Sequence, residues 1–219
     1  MPKLKDVNTN DIAAAIRLGC RTMHNVFDAD DGDVPFFRSL IEPETLLAFS
    51  AVHSEAHVPG RHLNALLSAE DAIGVAVDEA AIGKHRRAAF LSYSGPVALP
   101  LNRETKDGVP INFCAHNLRE GFHALYALAA YRDSQRALDL AAASIDTILQ
   151  RWSSDGGWES AYFSDELGLE FGEPTFIVGV ARAIGPLVKL YRATGLQSAL
   201  ELAVLLANKT TDAYLTAAG

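Results

Sequence analysis

Two short segments concentrate side chains able to do chemistry: Cys114-Ala115-His116-Asn117-Leu118-Arg119-Glu120 and Asp155-Gly156-Gly157-Trp158-Glu159. In the first, His116, Asn117 and Arg119 offer hydrogen-bonding groups to a polar ligand. Glu120 offers a carboxylate for proton transfer, with apolar neighbours on its own helix that would raise its pKa. The competing role is local: Asn117 can cap the following helix, and Glu120, three residues on, can complete a capping box. In the second segment Asp155 and Glu159 supply further acid/base groups, Gly156-Gly157 permits a tight turn, and Trp158 carries a flat apolar ring. Core packing is the alternative for Trp158 and the expected fate of Trp152, which continues the preceding helix's apolar stripe.

Histidines and acids raise metal binding. His53 and His57 stand one helical turn apart and His62 follows the Gly60 turn, a spacing that permits zinc. Because His53-Ser54-Glu55-Ala56-His57 lacks the HExxH order, no metal is expected, and His62 is assigned to polar ligand contact within Pro59-Gly60-Arg61-His62. Cys20 and His24 repeat the one-turn spacing with less support. Asp28-Ala29-Asp30-Asp31-Gly32-Asp33 opens like a calcium loop, yet the position requiring a final Glu is Ser39, so a polar turn is expected. Glu173, after Asp165, Glu166 and Glu170 in a loop-like stretch, is read as favouring the start of the next helix.

These groups need a scaffold, and apolar periodicity supplies a helical one. Leu118, Phe122, Leu125, Leu128 and Ala129, then Leu138, Ala141, Ala142, Ile145, Ile148 and Leu149, recur at spacings of three and four on either side of a polar break at Tyr131 to Gln135. The spacing predicts a second hairpin from Phe176–Tyr191, a turn at Ala193-Thr194-Gly195, and Ser198–Tyr214. The two hairpins share text: Ala137-Leu138-Asp139-Leu140-Ala141 corresponds to Ala199-Leu200-Glu201-Leu202-Ala203, 62 positions on, and Tyr131-Arg132 to Tyr191-Arg192, 60 positions on. A fainter copy runs from Leu63 through Phe90. Helices are also expected from Ile12 to about Phe27, capped by Asp11, and from Glu42 to about His57. Val97–Leu101 and Val109–Phe113 carry weak strand signals, but Pro96, Pro100 and Pro110 favour loops.

Composition bounds the partners. With 49% hydrophobic and 21% charged residues and no linker-like segment, residues 1–219 read as a single helical-hairpin domain. The net charge of -8 opposes nucleic-acid binding. The one dense basic cluster, Lys84-His85-Arg86-Arg87, is expected at a solvated helix end. Cys20 and Cys114 suggest no disulfide framework. A polar N-terminus and the lack of a long apolar run point to a cytoplasmic, non-membrane protein.

Asn117-Leu118-Arg119-Glu120-Gly121-Phe122-His123-Ala124-Leu125, the Trp152 to Trp158 segment and Gly185-Pro186-Leu187-Val188-Lys189-Leu190-Tyr191-Arg192-Ala193-Thr194-Gly195 resemble six-hairpin glycosidase-like proteins, nearest the β-L-arabinofuranosidase-like and related uncharacterised glycosidase branches. The resemblance covers roughly Pro59 to the C-terminus. It implies an all-α fold of α/α hairpin repeats forming a partial (α/α)6-type toroid: a full ring has about twelve helices, and about six or seven of ordinary length fit here. It also implies a carbohydrate-processing, glycoside hydrolase-like activity, which uses carboxylates facing one bond.

On that reading Glu120, Asp155 and Glu159 are the catalytic candidates. His116, Asn117, Arg119, Trp158 and His62 bind an uncharged or weakly charged saccharide, and no cofactor is expected. The half ring would be completed by a homodimer or a complementary second half-toroid. The alternative is a noncatalytic helical-repeat binding or assembly module. A helical toroid for isoprenoid chemistry is disfavoured because Asp30-Asp31-Gly32-Asp33 does not make the DDxxD signature.

Overall fold

The structure is a computed structural model that describes residues 11–40, 46–172 and 175–215. Its elements in chain order are α1 (Ile12–Met23), β1 (Phe27–Asp28), β2 (Val34–Pro35), β3 (Arg38–Leu40), β4 (Leu46–Ala48), α2 (Val58–Ile73), α3 (Glu79–Ser92), β5 (Leu101–Arg103), β6 (Pro110–Cys114), α4 (Leu118–Arg132), α5 (Gln135–Arg151), β7 (Trp152–Ser153), β8 (Gly157–Trp158), β9 (Glu170–Gly172), α6 (Ile184–Thr194) and α7 (Gln197–Tyr214). Helix dominates, at 62% against 11% strand, as the periodicity requires.

Three consecutive hairpins, α2–α3, α4–α5 and α6–α7, lie side by side, with α4 against both α2 and α6. Their interface is the apolar stripe expected from the spacing: Leu63, Leu66 and Leu67 from α2, Phe122, Leu125 and Leu128 from α4, Ile145 and Ile148 from α5, Leu187 and Leu190 from α6, and Leu202 and Leu206 from α7, all without solvent exposure. Each such side chain contributes about 1.5–3 kcal/mol through removal from water. Local chemistry sets the ends. Asp11 accepts from the Ala13 and Ala14 amides, Asp78 from Ala80, and Ser134 from Ala137, while Gly195 closes α6 at φ 74°.

Several elements differ from expectation, each for a tertiary reason. Where described, the segment Glu42–His57 forms no helix: Leu46–Ala48 pairs with β3 and residues 51–57 run through turns, their backbone groups taken by side chains from elsewhere, as detailed below. Residues 41–45 lie outside the described residues, as does Glu173. The helix expected from Phe176 begins only at Ile184, after turns and a 3-10 segment at Val180–Ala183. The proline-flanked loops form strands instead: β5 pairs antiparallel with β6, and β6 pairs parallel with β9. The prolines are compatible with this because Pro110 starts its strand and Pro100 precedes one.

Ion pairs resolve two further segments. The basic cluster Lys84-His85-Arg86-Arg87 lies within α3 rather than at its end; Lys84 (2.7 Å) and Arg87 (3.0 Å) grip Asp33, while His85 is fully buried. The acidic loop has a carboxylate for each neighbouring cation, Asp28 with Lys106, Asp31 with Arg103 and Asp33 with α3.

Candidate functional site

The polar side chains converge where the starts of α2, α4 and α6 meet. β6 runs through a 3-10 turn (Ala115–Asn117) directly into α4, and the alternation along β6 sends Asn112 one way and Phe113 the other. Phe113 enters an aromatic cluster with Trp158, Phe163 and Phe171. Asn112 reaches the turn before α2 and donates from Nδ2 to the Ala51 carbonyl at 2.7 Å.

That turn, the approach to α2, is buried at Ser54, Glu55, Ala56 and His57 and must have its backbone satisfied by others. Asn102 Oδ1 accepts from the amides of Glu55 (3.2 Å) and Ala56 (3.0 Å), and its Nδ2 donates to the Val52 carbonyl (2.9 Å). Asn117 Nδ2 donates to the same carbonyl at 2.6 Å. Arg103 secures the turn from beneath, giving Nε to Glu55 at 2.6 Å and its other nitrogens to Asp31. Asn102, Asn112 and Arg103 were not singled out in the sequence, where nothing marks a lone polar residue in a short strand as a clamp on a turn some fifty positions away.

The clamp presents His53 and His57 to His116. One imidazole nitrogen from each of the three lies within 4.8 Å of the others, and the ring centroids are 4.9, 5.3 and 6.0 Å apart. His57 Nδ1 is 3.2 Å from Asn117 Oδ1; the Asn117 amide already donates through Nδ2, so its oxygen accepts and His57 Nδ1 carries the proton. His53 Nδ1 meets the Ser50 hydroxyl at 3.3 Å. Asn117, at the cap position of α4, makes no side-chain capping bond, so its side chain serves the site instead.

Glu120 is 0% exposed and sits in the first turn of α4. Its Oε1 accepts from Arg119 Nε at 2.7 Å and from Arg119 Nη2, with Arg61 Nε at 3.5 Å. Its Oε2 lies 3.8 Å from His57 Nδ1 and has no hydrogen-bond partner among the described residues. Burial pushes the Glu120 pKa up, but the Arg119 hydrogen bonds and the nearby His57 and Arg182 more than offset it, and the carboxyl is held below its ordinary value. The rise expected from apolar neighbours is therefore reversed by arginines, and the group is ionised at neutral pH.

Burial acts the other way on the imidazoles: it lowers His53, takes His57 to about 4, and together with Arg182 lowers His116, so all three are neutral at pH 7. Arg182, just before α6, donates from Nη1 to His116 Nδ1, with Nε2 of the same ring 3.0 Å away. Arg61, His57 and His62 line one wall of an adjoining cavity of about 610 Å³, with Thr22, Asn25 and Phe37 opposite, a size suited to a small ligand.

The expected residues separate into two groups. His116, Asn117, Arg119 and Glu120 come together, and His62 reaches the cavity wall while contacting His85 (Nδ1 to Nε2, 3.3 Å). The second segment forms the β7–β8 hairpin. Glu159 is exposed and paired with Arg151 (2.8 Å), Asp155 is exposed and accepts from Ser154, and neither bonds to the Glu120 cluster among the described residues. Trp158 is buried edge-on against Phe113, Phe163 and Phe171, so its ring offers no open face to a ligand. Arg61 and Arg182 enter the site without having been assigned to it from the sequence.

No family model, no curated protein and no solved structure matches this chain.

Proposed function

We propose that the protein is a carbohydrate-processing enzyme of glycoside hydrolase-like type, with α2, α4 and α6 as the inner helices of a partial (α/α) toroid. Catalysis is at the junction of their N-terminal ends. The observation that carries the reading is Glu120, a wholly buried, ionised carboxylate with one oxygen unpartnered among the described residues, seated where three helix starts converge. Buried polar groups are normally satisfied, and an exception in a cleft is better explained by a ligand than by folding.

An ionised Glu120 acts as base or as stabiliser of developing positive charge at an anomeric carbon. It is not the general acid in the free protein. Arg61, Arg119 and Arg182, with three helix N-termini, make the surroundings strongly receptive to negative charge. The saccharide therefore carries an anionic group, such as a carboxylate or phosphate, in place of the uncharged sugar expected from the sequence. Arg61 and Arg119, whose side chains are 56% and 30% exposed, can turn toward that group and free Glu120 Oε1.

A panel of aryl glycosides with and without anionic substituents tests this. Turnover confined to the anionic members, falling about 10²–10⁴-fold in Glu120→Gln, supports it. Activity retained in Glu120→Gln, or inertness of the whole panel, counts against it.

A second reading, a noncatalytic assembly module, is favoured by one observation. The α6–α7 hairpin leaves Val188 37% and Val204 49% exposed, apolar surface against which a second copy or a complementary half-toroid could add the next hairpin. Light scattering showing a stable oligomer that Val204→Glu dissociates would favour it.

A further inference from the structure

We propose that His53, His57 and His116 form a binding site for a divalent transition-metal ion of the zinc class, with a fourth position open toward Arg182 and the adjoining cavity. The inference stands on the histidines and does not require the saccharide reading.

Geometry comes first. A tetrahedral ion holds imidazole nitrogens at about 2.0–2.1 Å, which places ring centroids about 5 Å apart. The observed centroid separations of 4.9, 5.3 and 6.0 Å bracket that value. The donor nitrogens, within 4.8 Å of one another, need to close toward about 3.3 Å, the edge of a tetrahedron of that bond length, which requires side-chain rotation, the His57 and His116 rings lying 8° from parallel.

The surroundings then orient the ligands. His57 donates its Nδ1 proton to Asn117, which leaves its Nε2 lone pair for an ion, and Ser50 holds His53 through Nδ1. Nε2 of neither ring has a hydrogen-bond partner recorded among the described residues. The buried Glu120 Oε2, without a partner among the described residues, lies 3.8 Å from His57 Nδ1 and adds negative charge behind that ring, while Asn117 Oδ1 is the acceptor that orients it.

One group opposes the ion. Arg182 donates to His116, and a metal ion takes that ring only when Arg182 swings off it toward Glu120. Arg61 and Arg119 add to the positive field, so affinity is moderate and is limited by these arginines. Three ligands with an open position are the pattern of catalytic rather than structural zinc. The fourth position suits water or an oxygen of an anionic ligand.

The test is titration of the tag-free full-length protein with zinc by calorimetry and with cobalt by visible absorption, which reports tetrahedral coordination. We expect one ion per chain in the wild type. Affinity should fall about 100-fold in His53→Ala and in His116→Ala, and about ten-fold in Asn117→Ala, each with an unchanged circular dichroism spectrum. It should rise in Arg182→Ala and stay level in His62→Ala, which removes a histidine outside the cluster. Absence of tetrahedral cobalt absorption, or equal affinity in His116→Ala and wild type, overturns the proposal. Zinc binding with an inert glycoside panel would leave the metal site standing and remove the saccharide reading; turnover without metal binding would do the reverse.

Discussion

A β-carbon built on Gly60 would lie 1.8 Å from the backbone oxygen of Glu120. Helices α2 and α4 therefore touch backbone to backbone at the level of the candidate site, and glycine is the residue that permits it. This contact fixes the separation between His57 and Arg61 on one helix start and Asn117 and Glu120 on the other. We expect Gly60→Ala to cost about 1–3 kcal/mol in urea unfolding through forced separation of the helices. It should also weaken any ligand or metal affinity more than Gly83→Ala, whose β-carbon meets only the Arg87 side chain at 3.7 Å.

The asparagine clamp makes a separate claim. Asn102→Ala would strip acceptors from two buried amides, Glu55 and Ala56, and a donor from the Val52 carbonyl. We expect about 2–3 kcal/mol of destabilisation by thermal or urea unfolding, from the groups left unpaired. Asn102→Asp keeps the acceptor and should fall between wild type and alanine. A cost below about 0.5 kcal/mol for the alanine variant would mean that the turn holds itself.

Acid stability should depend on the second histidine pair. His85 donates Nε2–H to the Met23 carbonyl at 3.0 Å, its Nδ1 is buried without a partner among the described residues, and burial with the neighbouring His62 holds it at about 3; His62 is at about 4. Both values lie below the ordinary 6.5, so the unfolded chain takes up protons that the folded chain refuses. Stability is intact above about pH 6.5 and is lost as pH falls toward 3–4. For His85 the loss by pH 4 is on the order of 3 kcal/mol. Urea midpoints measured from pH 7 to pH 4 should decline less steeply in His85→Gln, which keeps a donor for Met23 but takes no proton.

The β7–β8 hairpin is expected to behave as structure. Trp158→Ala should cost about 3–5 kcal/mol by emptying the aromatic cluster. Glu159→Gln and Asp155→Asn should each change stability by less than about 0.5 kcal/mol, since Glu159 pairs with Arg151 in solvent and Asp155 is exposed. A large loss of activity in Glu159→Gln would return this hairpin to the site.

What the residues disclosed in advance follows the range of the forces involved. The hairpins were legible because Leu118, Phe122, Leu125 and the Ala141 to Ile148 stripe encode their burial locally, at helical spacing. The start of the site was legible for the same reason: His116, Asn117 and Glu120 fall at a loop-to-helix junction visible in the text. The turn carrying His53 and His57 was not, because its shape depends on Asn102, Asn112 and Asn117, and helical propensity yields to those distant bonds. Residue type alone pointed to His62 beside His53 and His57, whereas the fold places His116 there and pairs His62 with His85. The sign of the Glu120 shift was hidden only in part, since His57 and Arg182 lie 63 and 62 positions away in the chain while Arg119, which lowers it most, is its neighbour. Trp158 has the ring a sugar would stack on, but Phe113, Phe163 and Phe171 already cover it.

The central claim is that the starts of α2, α4 and α6 form one ligand site around Glu120. Titration of 15N-labelled protein with a uronic acid or a sugar phosphate, followed amide by amide, addresses it most directly. We expect shifts confined to residues 53–62, 116–120 and about 182, and abolished in Arg119→Ala. Shifts centred on residues 155–159, or none at millimolar ligand, would contradict it.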